Sequence, residues 1–390
     1  MLTAEQNEFF TRVGAGSPMG DLLRRYWHAV APWNVLEERT TYPTRVLGED
    51  LVLFKDKSGR VGLLADHCSH RGASLRYGRV EERGIACAYH GWLYDCEGNV
   101  IETPVESNDA IMTSVKHTAY PVQQSAGLYW AYMGPLPAPA LPRFDLWVRK
   151  DGVRRIVVTQ RLDCNWFQVV ENMTDVWHSA ILHQDSQGRS EPNSTRGSVD
   201  EIDHIECWAT SYGIMKRHYY KAGWTREHPM LFPNILEVGN CHQINVPVDD
   251  EHTNRIRVYF DPTPDGAIVE DEGPIPVIYE RPRKDPPDGV HPFTTFNWES
   301  NDHQDAMAWE TQGLIADRTK EHLGGSDRWI VWMREMFKDN AERVREGHDP
   351  FAVIRDPDHG PIDTGFQEQV DSMRRRGLAG RDSAREYAGV

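Results

Sequence analysis

Cys68-Ser69-His70-Arg71-Gly72-Ala73 and Cys87-Ala88-Tyr89-His90-Gly91-Trp92 decide how this chain is read, with sixteen residues separating His70 from Cys87. Each segment offers one thiolate and one imidazole. A structural zinc site with four such ligands usually groups them by type, as Cys-x₂₋₄-Cys and His-x₃₋₅-His. Here each segment mixes the two types. That arrangement suits a [2Fe–2S] cluster held between two loops, with Cys68 and Cys87 on one iron and His70 and His90 on the other. Two neutral imidazoles in place of two thiolates remove negative charge, and the potential rises to roughly −150 to +300 mV, against about −400 mV for an all-cysteine plant-type cluster. Such a centre accepts electrons from an ordinary ferredoxin or flavin and passes them on. His67, just before Cys68, is read as a structural neighbour and not a ligand.

The surrounding sequence fits a small all-β unit. Thr44–Leu47 and Leu51–Phe54 flank Gly48-Glu49-Asp50, a hairpin signal, and Val61–Leu64 follows as another short strand. Short strands and Gly-rich turns continue to Tyr132. Upstream, Thr3–Tyr26 reads as helical with a break at Gly14–Pro18. Pro135–Pro142 holds four prolines in eight residues and reads as a stiff connector. Beyond it, Arg155–Arg161 reads as a strand, Trp166–Leu182 as a helix, and Gln243–Val248 with Arg255–Phe260 as parts of an antiparallel sheet. Residues 261–292 read as a long loop. Gln304–Leu323 and Asp327–Val344 read as helices, and the polar tail from about Asp371 as a frayed end. The expectation is an α+β chain of three parts: a helical segment 1–39 packing on the last part, an all-β cluster domain 40–140, and a larger domain 141–390.

A second constellation lies in the larger domain. Asp175-Val176-Trp177-His178-Ser179-Ala180-Ile181-Leu182-His183 contains Asp-x₂-His-x₄-His. Two imidazoles and one carboxylate, with open positions opposite, form the facial triad of non-haem Fe(II) oxygenases. On an ideal helix, residues five apart point about 140° away from each other. His178 and His183 can share a metal only if the helix breaks or bulges between them. Asp175 and His178, three apart, face the same way. The stretch Glu299–Asp305 and nearby Glu310 offer further acids for the third position.

The two motifs in this order resemble the α-subunit of Rieske non-haem iron ring-hydroxylating oxygenases, across nearly the whole chain. Leu23–His28, Pro247–Thr253 and Asp317–Gly324 make it most similar to the phthalate-dioxygenase branch. Asn172–His178 is also similar to O-demethylating members such as vanillate demethylase and dicamba monooxygenase. The resemblance implies a helix-grip catalytic domain, START- or Bet v1-like, and His178 and His183 as ligands of a mononuclear Fe(II) that activates O₂. It implies that Asp175 bridges toward the cluster, so that the third ligand comes from elsewhere. The Gln-Asp position points to Asp305, with Asp302, Glu299 and Glu310 as alternatives. It further implies a homotrimer in which one subunit's cluster serves the next subunit's iron. Electrons come from a reductase carrying flavin and a [2Fe–2S] cluster, in some systems through a ferredoxin. The substrate is a small aromatic compound, oxidised by ring hydroxylation or by oxidative O- or N-dealkylation.

Composition limits the rest. The net charge of −16, with no basic tract, argues against nucleic-acid or anionic-membrane partners. No stretch approaches the ~20 apolar residues that span a bilayer, and the N-terminal residues lack the pattern of a signal peptide. Cys96, Cys164, Cys207 and Cys241 stand alone and read as buried thiols of a cytoplasmic protein. The 13 tryptophans read as core. Lys216, Arg217 and His218, in the strand Tyr212–Tyr220, read as an outward-facing charged strand, with recognition of an aromatic carboxylate as the alternative. Ile181, Trp224, Phe293, Phe296 and Trp309 are apolar candidates for a substrate pocket or for core. Two rival classes remain at this stage, an electron-transfer protein without oxygenase activity and a zinc-stabilised binding module.

Overall fold

The hairpin expected near Gly48 forms from Thr41–Val46 and Glu49–Lys55, paired in antiparallel register with Val46 opposite Glu49. Its turn is Leu47-Gly48, both at positive φ (51° and 81°), the conformation of the two-residue turns that match strand twist. The turn therefore lies one residue earlier than the Gly-Glu-Asp signal suggests. Val61–Ala65 and Ala119–Tyr120 complete a four-stranded sheet. A second sheet joins Arg79–Glu81, Gly84–Ala86, Leu93–Tyr94 and Val100–Glu102 in that order. A third is built from Trp27–Pro32, Leu128–Tyr132 and Val122–Ser125. The expected helical start has helices Ala4–Thr11 and Pro18–Leu23, and the chain then enters the strand Trp27–Pro32. This computed structural model describes residues 1–183, 199–270, 272–280, 301–375, 377 and 379.

The larger part is a nine-stranded sheet. Along it run Ile202–Ala209, Gly213–Tyr220, Met230–Leu231, Ile235–Val238, Cys241–Pro247, Thr253–Pro262, Gly152–Leu162 and Val277–Glu280, with Thr225–Glu227 beside Gly213–Tyr220. Every pairing is antiparallel except Val277–Glu280, which lies parallel to Gly152–Leu162. That last strand, and the end of Thr253–Pro262, fall inside the segment expected to be loop; residues 271 and 281–292 of that segment are outside the described residues.

Helix Trp166–Thr174 starts where Asn165 Oδ1 accepts from Phe167 N at 3.0 Å, an N-cap that satisfies an otherwise orphan donor. Helix Arg328–Arg345 packs on it through Phe337, whose ring meets Trp166 and Phe167 edge-on at 5.6 Å. Half-buried Glu171 ties the pair together, accepting from Arg318 at 2.7 Å and from Arg334 at 2.7 Å. Burial works to raise the Glu171 carboxyl, but the two guanidiniums outweigh it and hold it below the usual range.

The two halves share one apolar core, in which Trp130, Trp147, Trp166, Leu47 and Phe337 all take part. The hairpin tip docks directly on the larger sheet, with Leu47 N and Gly48 N donating to the carbonyls of Pro247 and Val248 at 2.9 Å each. A separate small core of Val52, Phe54, Leu64, Leu75, Ile85 and Tyr94 holds Cys68 and Cys87.

Candidate metal centres

The cluster loops are short tight turns at the ends of strands. Cys68 N donates to Ala73 O and Gly72 N to Cys68 O, while Cys87 N donates to Trp92 O and Gly91 N to Cys87 O. Gly72 and Gly91 both take positive φ (74° and 78°), so the Arg-Gly and His-Gly steps are backbone requirements of the two loops. Both cysteines are buried, and His70 and His90 are half-buried, with ring centroids 4.6 Å apart. Trp92 stacks on His70 at 4.6 Å, and Tyr94 Oη lies 3.0 Å from Cys68 Sγ. Burial and the neighbouring Cys68 thiol push the Cys87 thiol up, while the N–H groups of Tyr89 and His90 pull it down. His70 Nδ1 is buried without a hydrogen-bond partner, an orphan that a metal bond would satisfy. These residues fit the cluster. His67 is exposed, with Nδ1 3.1 Å from Gly72 O, and stands outside the set.

The second constellation departs from the expected local geometry. The helix ends at Thr174, because Asp175 turns to extended backbone (ψ 115°), and a new turn runs from His178 to Ile181. The break therefore precedes His178, and His183 lies beyond the end of the short turn. Asp175 does not share a helical face with His178. It bridges the break, Oδ1 accepting from Trp177 N at 3.0 Å and His178 N at 3.2 Å. The ring of His178 is oriented by the Asp175 main chain, with Nδ1 3.0 Å from the carbonyl and 3.9 Å from Oδ2, too far for a hydrogen bond. Burial works to raise the Asp175 carboxyl, but His178 and the two N–H donors hold it down at about 2.

Asp305 arrives from a distant helix, Asn301–Glu310. That helix is much shorter than the expected Gln304–Leu323 run, and it ends in a turn at Gly313, φ 90°. Asp305 Oδ1 lies 3.2 Å from His183 Nε2 and 3.9 Å from His178 Nε2. The three side chains each offer one atom within 4.8 Å of the others, and among the described residues no other such group forms. Gln304 Oε1 accepts from His183 Nδ1 at 2.6 Å, which turns the Nε2 lone pair toward Asp305. Asp305 is 8% exposed, and its Oδ1 has no hydrogen-bond partner. Burial works to raise its carboxyl, but the two histidines and Arg255 outweigh that and keep it below the usual range. Two facing acceptors around an orphan carboxylate oxygen form a cradle for a cation, and the donor set suits Fe(II).

Asp302 is spent differently, paired with Arg257 and, at 3.2 Å, with Arg255. Glu310 accepts from Asp163 N at 2.9 Å, and Glu299 lies outside the described residues.

The family model described as "Rieske [2Fe-2S] domain" matches residues 26–121. The chain is 39% identical to the 5,5'-dehydrodivanillate O-demethylase oxygenase subunit of a Sphingobium species, over 92% of this chain and 84% of that one. The chain belongs to the Rieske oxygenases. It is also 34% identical to the phthalate 4,5-dioxygenase oxygenase subunit of Pseudomonas putida, covering 89% of this chain and 88% of that one. A third relative is the tert-butanol monooxygenase / tert-amyl alcohol desaturase oxygenase subunit of Aquincola tertiaricarbonis, 45% identical over 86% of this chain and 76% of that one. In fold it resembles the terminal oxygenase of carbazole 1,9a-dioxygenase from Nocardioides aromaticivorans, with a TM-score of 0.62, 18% identity, and coverage of 87% of this chain and 98% of that one.

As a Rieske oxygenase the chain is the oxygenase component of a multicomponent system, and both rival classes fall away. The family's cofactors are the [2Fe–2S] cluster and a mononuclear iron, with O₂ as co-substrate. No described helix is long and apolar enough to cross a membrane. Sequence reading missed Tyr94 and Gln304, both supplied across the fold, although Gln304 stood in plain view beside Asp305. It also misjudged Lys216 and His218. Strand alternation puts them inward, at 3% and 2% exposure, while Arg217 between them faces outward onto Glu227. Of the apolar candidates, Ile181 is 63% exposed, Trp224 stacks on Tyr220 near the surface, and Trp309 is buried. Phe293 and Phe296 lie outside the described residues.

Proposed function

We propose that Cys68, His70, Cys87 and His90 hold the Rieske cluster and that His178, His183 and Asp305 hold the mononuclear iron of an oxygenase acting on aromatic compounds. The observation that carries this is the convergence of two imidazoles and the partnerless buried Asp305 oxygen. When bound, the iron activates O₂ with electrons relayed from the cluster. The chain's own part is to orient: Gln304 fixes the His183 ring, the Asp175 carbonyl fixes the His178 ring, and burial keeps bulk water from Asp305.

Asp175 carries the link between centres. A third of its side chain is exposed, and at the cluster tip Tyr89, Arg71 and Ser69 are exposed beside half-buried His90. A head-to-tail homotrimer sets one subunit's cluster tip against the next subunit's Asp175, a heterologous contact that closes by rotation. A flavin/[2Fe–2S] reductase, with or without a ferredoxin, supplies the electrons from the cytoplasm. The domain division that serves this is a helical segment 1–39, a cluster domain 40–140 and a catalytic domain 141–390.

For the reaction we favour oxidative O-demethylation of a methoxylated aromatic, because the O-demethylase relative is 39% identical over 92% of this chain. Ring dihydroxylation remains the second reading, supported by the phthalate dioxygenase relative. Turnover under ¹⁸O₂ with a surrogate reductase tests both. A phenol released with formaldehyde supports demethylation, and a cis-diol with two labelled oxygens supports dihydroxylation. Product formed equally well without O₂ overturns the oxygenase reading.

A further inference from the structure

The helix that leads to the mononuclear site ends in the protein interior, where its last carbonyls have no intrahelical donor. Two side chains from the neighbouring sheet meet that end. Lys216 Nζ donates to Met173 O at 2.9 Å and to Asp175 O at 3.5 Å. His218, two residues along the same strand face, places Nε2 3.2 Å from Val176 O. Together they grip three carbonyls of the break that separates the helix from the turn bearing His178. The Asp175 carbonyl is the shared point, since it also accepts from His178 Nδ1.

A buried helix end needs donors, but it does not need a charge. Burying an ammonium is costly unless it is compensated, and the nearby charges of Cys207, Asp175 and Asp305 offset the burial of Lys216 only in part. Burial accordingly pushes its pKa below the ordinary value, and it holds that of His218 at about 4, so the imidazole is neutral and donates through Nε2. The cation sits at the negative end of the helix dipole, which offsets part of the cost. What the arrangement gains is a carbonyl fixed in position and polarised behind the ring of a metal-site histidine.

We propose that Lys216, assisted by His218, is the positioning residue of the mononuclear centre: it anchors the Asp175 carbonyl that orients the His178 ring. The proposal rests on the reading of His178, His183 and Asp305 as metal ligands. With the carbonyl held, His178 Nδ1–H has one direction to donate, and Nε2 is left facing Asp305. Without Lys216 the break loses its anchor and the ring its orientation.

The test is anaerobic equilibrium dialysis of Fe(II) against full-length protein whose mononuclear metal has been removed by mild chelation, the cluster being followed by its visible spectrum. Wild-type protein that takes up no further iron overturns the metal-ligand reading, and this is seen before any variant is made. Given wild-type uptake, Lys216→Met should weaken Fe(II) binding about 10–100-fold, the usual cost of losing a partner of a ligand, with the cluster spectrum unchanged. Lys216→Gln, which restores a neutral donor, should recover part of that loss. Val169→Ala, buried in the same helix away from the break, should lower the melting temperature without changing affinity. Wild-type affinity in Lys216→Met, or an equal loss in Val169→Ala at matched stability, overturns the proposal. Should Lys216→Met fail to fold, His218→Leu decides: binding weakened about 10-fold supports it, and unchanged binding overturns it.

Discussion

At the cluster loops all four candidate ligands come from residues 68–90, whereas the mononuclear site joins a broken helix near residue 180 to a separate helix carrying Gln304 and Asp305, 121 residues away at the His183–Gln304 contact. The first is shaped by local turns, two of them closed by glycines at positive φ. The second exists only because Glu171, Arg318 and Arg334 fasten the first helix in place and the Asp302 pairs with Arg255 and Arg257 fasten the second. A site made of local turns tolerates change in distant packing. A site assembled from distant elements depends on contacts that never touch the metal.

Substitutions can break that contrast, and the largest effect belongs to Asp305. Asp305→Ala should lose about one iron per chain and reduce turnover by more than the ~10–100-fold typical of outer partners, with the cluster spectrum intact. Asp302→Ala should do the reverse. It removes one of the two carboxylates paired with buried Arg257, Glu280 being the other, costing about 1–3 kcal/mol in a denaturant melt, and iron at the remaining protein should stay near wild-type content. If Asp302→Ala strips the iron and Asp305→Ala does not, the third position has been assigned one helical turn away from its true place.

Asp175→Asn keeps an oxygen to accept from Trp177 N and His178 N, so the break should survive while the charge is lost. Both metals should remain, and single-turnover reoxidation of the reduced cluster should slow by about 100-fold or more, the scale of a lost preorganised electrostatic contact. Reoxidation at the wild-type rate would dissolve the proposed link between the two regions.

Gln304→Leu should weaken Fe(II) binding about 10–100-fold by freeing the His183 ring, measured as iron retained after dialysis. The smallest effect is expected at the cluster. Tyr94→Phe removes the hydroxyl beside Cys68 Sγ and should lower the cluster potential by about 40 mV, the one-electron equivalent of a hydrogen bond worth ~1 kcal/mol. An unchanged potential in a redox titration would mean that this hydroxyl does not donate to the sulfur.

The sequence by itself determined the cluster loops and the identity of the chemistry. Cys-x-His and Cys-x₂-His need only short turns to converge, and short turns are written in neighbouring residues such as Gly72 and Gly91. It also placed the strands around residues 44–64 and 243–260 and a helix over Asp327–Val344, which forms as Arg328–Arg345, where apolar periodicity is strong. Tertiary structure alone decided three things. It set the break before His178, because Lys216 and His218 of the neighbouring sheet take the carbonyls of Met173, Asp175 and Val176 that a continuing helix would bond within itself. It separated Asp305 from Asp302, because two arginines of the strand Thr253–Pro262 claim Asp302 and leave the Asp305 oxygen without a partner. And it turned Lys216 and His218 inward, because a charge on a strand carries no sign of which face meets the core until the sheet has a helix end to cover.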